Sequence, residues 1–343
     1  MPKVIWFNKN FSSIYNIMAL IKAGDTRKEF SLLCTHDHPE FVGFEVSDFY
    51  EVEKQTISDE DYIRYCLDMC NKYHVSLFLP SKKIMVIANH HEFFEKQGIK
   101  ILSCASFDNL EILNHKAMLY NALCNDNIEI PEYYLVNTLD AFDEAYEVLS
   151  SKNKRVCFKP ARSIYALGFK MIKHNINEMN AFLSSDVISV SLKEARHKFS
   201  QADFFQDVLV MEYLDGTEYS IDCLAKHGRL IRCTVRKKPS HVNGAQILEY
   251  NPELVHMAEQ LTQRFELTGL FNIQTKSANG ISKLLEINTR MSGGIYFSCL
   301  SGINYPYWGM RLAMEECESE IPDQTYGLKV NQVYMPFLVK NKS

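Results

Sequence analysis

No stretch of this 343-residue sequence is apolar for the length a membrane span needs, and Met1-Pro2-Lys3-Val4-Ile5-Trp6-Phe7 runs straight into a strand pattern without a signal-peptide layout. An excess of positive charge is also lacking. The 37 Lys and Arg face 42 Asp and Glu, for a net charge of −5, so the footprint of a nucleic-acid binder is absent. The short basic cluster Arg236-Lys237-Lys238 is too small to change that. The ten cysteines have no pairing rhythm and sit inside apolar segments. Cys66 and Cys70 share the apolar side of a helix with Tyr62 and Met69. All ten read as reduced core thiols of a cytoplasmic protein, with structural zinc a distant second. His36-Asp37-His38 carries metal donors, but Pro39 follows at once and a turn at a strand end is the stronger reading. The G-x-G-x-x-G fingerprint is missing after the first strand, where Asn8-Lys9-Asn10-Phe11-Ser12-Ser13 stands, which disfavours a dinucleotide-binding Rossmann domain. There is no internal repeat, low-complexity segment or disordered linker.

What is present is ordinary soluble composition, 46% hydrophobic and 23% charged, in a chain long enough for two or three domains. The first hundred residues alternate strand and helix. Strands are expected at 4–7, 30–34, 49–52, 77–79 and 99–102. One helix follows Ser12 or Ser13 as its cap and closes at Gly24, another covers Asp59–Tyr73, and a third runs to Lys96 before Gly98. Such repetition implies a parallel sheet covered on both faces. A helix over about 108–124 leads out, and Pro131 marks a boundary. From there the pattern becomes α+β. Strands at 133–136, 155–159 and 169–172 alternate with helices at 139–150 and near 177–183. Then strands at 208–213, 218–225, 230–236, 270–276 and 284–288 form an antiparallel set with helices at 252–265 and 305–314 packed on it. The expected division is an α/β domain over 1–107, a connecting helix over 108–130, a small α+β subdomain over 131–207 and a C-terminal subdomain over 208–343.

Glu286-Ile287-Asn288 is the most informative stretch. Period-2 alternation puts Glu286 and Asn288 on one strand face, and paired oxygen donors there suit a hard cation such as Mg²⁺. Arg290 follows, placed to meet an anion, and Ser292-Gly293-Gly294 lets backbone approach closely. Lys159 alternates with apolar residues in a strand ended by Pro160, where a flexible ammonium reaches a phosphate as a point charge. Lys116 opens a helical turn; alone it reads as a solvated helix residue, and beside these neighbours it would be the second phosphate cation. Glu212 is a lone acid in an apolar strand and needs a partner, either a nearby donor or an exocyclic amine. Glu218 suits ribose hydroxyls as well as it suits the wet face of a sheet.

This ordered set resembles the ATP-grasp superfamily over residues 114–314, and the region before it resembles the pre-ATP-grasp domain. The pattern is similar to one half of the carbamoyl phosphate synthetase large chain and its single-unit ligase relatives. The resemblance implies an ATP-grasp fold in which Lys116 and Lys159 bind phosphates. Glu212 with Tyr213 and Leu214 would take adenine, and Glu218 ribose. Gln274, Glu286 and Asn288 would hold two Mg²⁺ or Mn²⁺ ions, and Arg290 would meet an acyl-phosphate. Ser240-His241-Val242-Asn243-Gly244 makes His241 a weaker candidate near the terminal phosphates. Ser301-Gly302-Ile303-Asn304-Tyr305-Pro306 resembles the family motif opening the last helix. One departure stands out: the phosphate loop Ala161-Arg162-Ser163-Ile164-Tyr165-Ala166-Leu167-Gly168 has a single glycine, leaving Arg162 and Ser163 as side-chain donors.

The implied activity is an ATP- and Mg²⁺-dependent carboxylate–amine ligase working through an acyl-phosphate on small-molecule substrates, in synthesis of a peptide-like or specialised metabolite. The alternatives are an acyl-phosphate-forming kinase-like enzyme and a low-turnover ATP-binding regulator. No nucleic acid or membrane partner is implied, and a homodimer is compatible with it. Finally, Asn279-Gly280 suggests a two-residue type I′ hairpin, which would pair Gln274 with Leu285 and aim it away from Glu286. A metal shared by all three residues requires a three-residue loop, 278–280, or a bulge.

Overall fold

The computed structural model describes residues 2–339 apart from 12, 55–57, 153, 163–166, 174–175, 177–187, 242 and 315–317. The described chain forms two compact units. One comprises 1–111, 218–274 and 287–343, and the other 112–217 and 275–286.

The first unit begins with strands β1 (Lys3–Asn8), β2 (Phe30–His36), β3 (Phe49–Val52), β4 (Val75–Leu79) and β5 (Lys100–Ile101), in the order β3-β2-β1-β4-β5 with every neighbouring pair parallel. β1 is buried on both faces, as a parallel strand between helix layers must be. Ile5 and Phe7 join one apolar cluster with Ile14, Ile17 and Ile21 of α1 (Ile14–Gly24). Val4 and Trp6 join another with Tyr62, Cys66 and Met69 of α2 (Asp59–Tyr73). α2 forms as its sequence dictates: the Ser58 side chain accepts from Asp61 N–H, three acids occupy the first turn, and His74 closes it left-handed at φ 52°. α1 differs from expectation, because Ser13 makes no side-chain cap bond and is itself in helical conformation. Gly24 ends α1 for packing reasons: a Cβ there would lie 2.6 Å from Cγ of Tyr307. The single helix expected before Gly98 is two, α3 (Ile84–Asn89) and α4 (His91–Glu95), and the helix expected over 108–124 is also interrupted. α5 (Phe107–Leu113) stops before His115, which restarts the chain as N-cap of α6 (Lys116–Ala122).

The second unit holds α6, β6 (Tyr133–Val136), α7 (Leu139–Ser151), β7 (Val156–Pro160), β8 (Lys170–Lys173), β9 (Ser189–Ser191), α8 (Leu192–Phe199) and β10 (Val208–Glu212). The strands order as β6-β10-β7-β8-β9, so β10 is antiparallel between β6 and β7 and lies in this sheet, not in the antiparallel set that follows. Phe142 and Leu149 of α7 pack on Phe158 and Val210. β9 and α8 were not expected, although Ser191-Leu192-Lys193-Glu194 is a capping-box sequence and the Ser191 side chain accepts from Glu194 N–H. The helix expected near 177–183 falls outside the described residues.

The remaining strands are β11 (Glu218–Lys226), β12 (Arg229–Lys237), β13 (Gln246–Glu249), β14 (Gly269–Ala278), β15 (Ile281–Asn288) and β16 (Leu328–Val330), ordered β15-β14-β11-β12-β13-β16. α9 (Pro252–Arg264) is capped by Asn251, a short α10 (Ile295–Cys299) follows β15, and α11 (Tyr305–Ala313) is capped by Asn304. Within the first unit, Tyr305 and Met310 enter the Ile5–Phe7 cluster and Asn304 Nδ2 donates to Leu20 O at 2.6 Å. β13, β16 and α10 were not anticipated. Nor are all cysteines core thiols, since Cys124 is exposed.

Gly24→Ala should overpack the α1–α11 contact and lower stability by about 1–3 kcal/mol. Urea unfolding reads this directly, and an unchanged midpoint would contradict the packing role.

Candidate nucleotide site

In the second unit the site is built on two lysines. Lys116 stands at the first turn of α6, where the His115 side chain accepts from Met118 N–H and Lys116 N–H donates to Ala161 O at 3.1 Å. Its Nζ lies 3.2 Å from Oε2 of Glu286. Lys159 lies on β7 opposite Leu209 and is only 9% exposed. Burial pulls the Lys159 ammonium down to about 8. The like charge of Lys116 adds to that effect more than Glu286 opposes it. Two ammonium groups out of water beside one carboxylate leave positive charge that an anionic ligand would neutralise.

The phosphate loop is engaged in its own framework at its start. Ala161 N–H donates to Asp207 O and Ala161 O accepts from Lys116 N–H, so the Ala161 N–H is committed within the protein. Gly168 is left-handed at φ 79°, and a Cβ there would lie 2.8 Å from Pro160. Arg162 is exposed, and with burial it keeps the His115 imidazole below its usual value. Ser163 lies outside the described residues.

Glu212 has the partners its burial demands. It takes Glu132 N–H at 2.9 Å, Lys154 Nζ at 3.0 Å and a bond from Lys283 Nζ. Burial raises its carboxyl, yet these donors outweigh that and hold it below the ordinary range. The Tyr213 ring has the Arg155 guanidinium at 4.8 Å and Lys276 Nζ at 4.9 Å, and Leu214 is buried. Sequence reasoning assigned no role to Lys154, Arg155, Lys276 or Lys283. The signal available was a lysine alternating along β15, the same signal that singled out Lys159.

The other candidates belong to the first unit. Glu218 opens β11 with its carboxylate paired to Lys238, and His241 is exposed in a turn whose Gly244 N–H donates to His241 O at 3.3 Å. Gln274, Asn288 and Arg290 are half-buried, and Arg290 Nη1 donates to Met291 O at 2.9 Å. The turn from β14 to β15 is not the three-residue loop, which leaves a bulge as the route by which all three residues could share a metal. It is the two-residue Asn279-Gly280, both left-handed at φ 51° and 81°, whose undisturbed continuation pairs Gln274 with Leu285. Strict alternation does break farther along β15, where Leu284 at 0% and Ile287 at 3% are both buried although three residues apart. A carboxylate oxygen, as on Glu286, and an amide oxygen, as on Asn288, are each the correct donor chemistry for Mg²⁺. Groups of three or more His, Cys, Asp and Glu able to hold a metal are absent among the described residues.

Comparison with known proteins agrees with this architecture. Residues 204–336 match the model of a family described as ATP-grasp in the biosynthetic pathway with Ter operon. An N5-carboxyaminoimidazole ribonucleotide synthetase solved with ADP is 14% identical, with 96% of this chain and 81% of that one covered at a TM-score of 0.67. The N5-carboxyaminoimidazole synthetase of Staphylococcus aureus with ADP gives 9%, 92%, 79% and 0.66. An L-amino acid ligase from Bacillus licheniformis gives 13%, 93%, 77% and 0.62. No curated protein matches in sequence. The chain has the ATP-grasp fold. Among the described residues no helix is long and apolar enough to cross a membrane.

A polyphosphate favours the charged form of Lys159, so binding should take up a proton wherever the free side chain is neutral. ATP affinity is expected to fall as pH rises through about 8, by up to tenfold per pH unit. Calorimetric titration in buffers of different ionisation enthalpy measures the uptake. Affinity that stays flat across that range would rule out the coupling.

Proposed function

We propose that this protein is an ATP- and Mg²⁺-dependent carboxylate–amine ligase acting through an acyl-phosphate, in the synthesis of a peptide-like or specialised metabolite. The observation that carries this reading is the buried Lys116–Lys159 pair with Glu286 as its acid. In the reaction a carboxylate oxygen of the substrate attacks the γ-phosphorus and ADP leaves. An amine nitrogen then attacks the acyl carbon, inorganic phosphate leaves, and the amine proton passes to solvent. Lys116 and Lys159 bind and offset phosphate charge, and Arg290 faces the acyl-phosphate oxygens. Lys159 acts as a phosphate ligand in its charged form, which its value of about 8 preserves for most molecules at neutral pH. Glu286 and Asn288, with Gln274 as a third candidate, would hold two Mg²⁺ ions, which supply electrostatic stabilisation of the transferring phosphoryl group. Glu212, Tyr213 and Leu214 would border adenine, and Glu218 the ribose. Residues 131–207 would act as a lid that excludes water from the acyl-phosphate.

A second reading, a low-turnover ATP binder, is favoured by one observation: Ala161, which opens the phosphate loop, has its N–H committed to Asp207. A matrix of carboxylates against amines, followed by mass detection and ADP release, separates the two. Turnover that appears only with a particular pair supports the ligase, and ADP release indifferent to both substrates refutes it.

Glu286→Ala and Asn288→Ala should each lower turnover by 10²-fold or more with the fold intact, on the scale of losing electrostatic stabilisation of the transition state. Gln274→Ala should cost less, because the two-residue turn does not favour its sharing the site. Full activity in both the Glu286 and Asn288 variants would eliminate the metal assignment.

A further inference from the structure

A second buried cation, on β12, has no part in the site described so far. Arg236 is 3% exposed and lies in a sequence triplet that looks like surface charge. Its Nε donates to Asp222 Oδ2 at 2.9 Å and to Ser298 Oγ at 3.1 Å. Nη1 donates to Gln246 Oε1 at 2.7 Å, and Nη2 to Ser220 Oγ at 2.9 Å and Ser292 Oγ at 3.0 Å. Asp222, fully buried, also accepts from Ser298 Oγ at 2.6 Å and from Asn272 Nδ2 at 2.9 Å. A Cβ on Gly294 would sit 3.0 Å from Arg236 Nη1, so the turn lies directly on the guanidinium. One planar fork therefore ties three strands (β11, β12 and β13) to the 289–294 turn and to Ser298 in the last turn of α10. Lysine, with a single compact ammonium, has no geometry that serves all of these acceptors.

We propose that Arg236, fixed by Asp222, is the positioning residue for the turn that carries Arg290 beyond Asn288. It touches neither nucleotide nor substrate. Its effect passes through Ser292, Gly294 and Ser298, which hold the backbone on the far side of Arg290 so that the guanidinium is presented in one orientation. The catalytic part of this inference rests on the ligase reading above, and the structural part does not. Asp222–Arg236 is the anchor because a buried ion pair in which every guanidinium nitrogen donates and both carboxylate oxygens accept has few alternative arrangements.

Two variants test it in the nucleotide-free full chain. Arg236→Lys keeps a charge for Asp222 and loses the fork, whereas Ser292→Ala deletes only the hydroxyl that ties the turn. Amide hydrogen exchange across 289–294 should accelerate at least tenfold in both, with β1 and α2 unchanged. In the ligase assay kcat should fall at least tenfold, with the KM for ATP within threefold of the parent. Unaltered exchange in both variants overturns the proposal, and so does faster exchange with full kcat. Faster exchange in a protein whose parent form shows no ligation with any pair leaves the anchor standing and removes the ligase reading instead.

Discussion

Burial of the Lys159 ammonium, aggravated by the like charge of Lys116, is the constraint on which the second unit turns. Lowering Lys159 from 10.5 to about 8 corresponds to roughly 3 kcal/mol against its charged form. A fold has little reason to retain such a group for stability alone, since an apolar residue of similar volume would sit in β7 without that penalty. An anionic ligand would offset that cost, and the elements around Lys159 hold the two cations in place without one. The α6 backbone is tied to Ala161, and β7 is paired on both edges by β10 and β8.

Arg236 makes an instructive contrast. It is as deeply buried as Lys159, but its donors are matched by a carboxylate, an amide oxygen and three hydroxyls. A guanidinium whose three nitrogens all donate within the protein has its charge balanced without a ligand and serves to organise what surrounds it. Lys159 has a like charge among its strongest influences, and it is the cation a phosphate would stabilise. The difference between these two buried cations rests on what surrounds their protons, not on depth of burial.

Much of this was legible in the chain itself. The parallel sheet of β1 to β5 follows from the alternation of strand and helix along the first hundred residues, and α2 was readable to the residue from its apolar stripe. Lys159 and Glu212 were legible because a charge inside an apolar strand must be explained. Arg236 was not, because its neighbours Lys237 and Lys238 disguise it as surface charge, and only three-dimensional pairing with Asp222 reveals it. β16, three residues long, carries too short a pattern to register before its partner β13 is known. The placement of β10 was misjudged for a related reason: strand pairing is a long-range choice, and an all-apolar strand fits either neighbouring sheet.

The turn at Asn279-Gly280 shows how local chemistry and site geometry bear on one strand. Both residues are left-handed, as the type I′ turn demands, so the hairpin takes the two-residue form despite the longer loop that a three-ligand metal site would prefer. Downstream, β15 is the edge of its sheet, and within the second unit that edge is covered rather than left open. Leu284 N–H donates to Glu129 O, and Leu285 O accepts from Tyr120 Oη, each at 2.8 Å. Tyr120 belongs to α6, the helix whose first turn carries Lys116. The helix that carries Lys116 thus also holds the β15 backbone next to Glu286, whose carboxylate lies 3.2 Å from that ammonium.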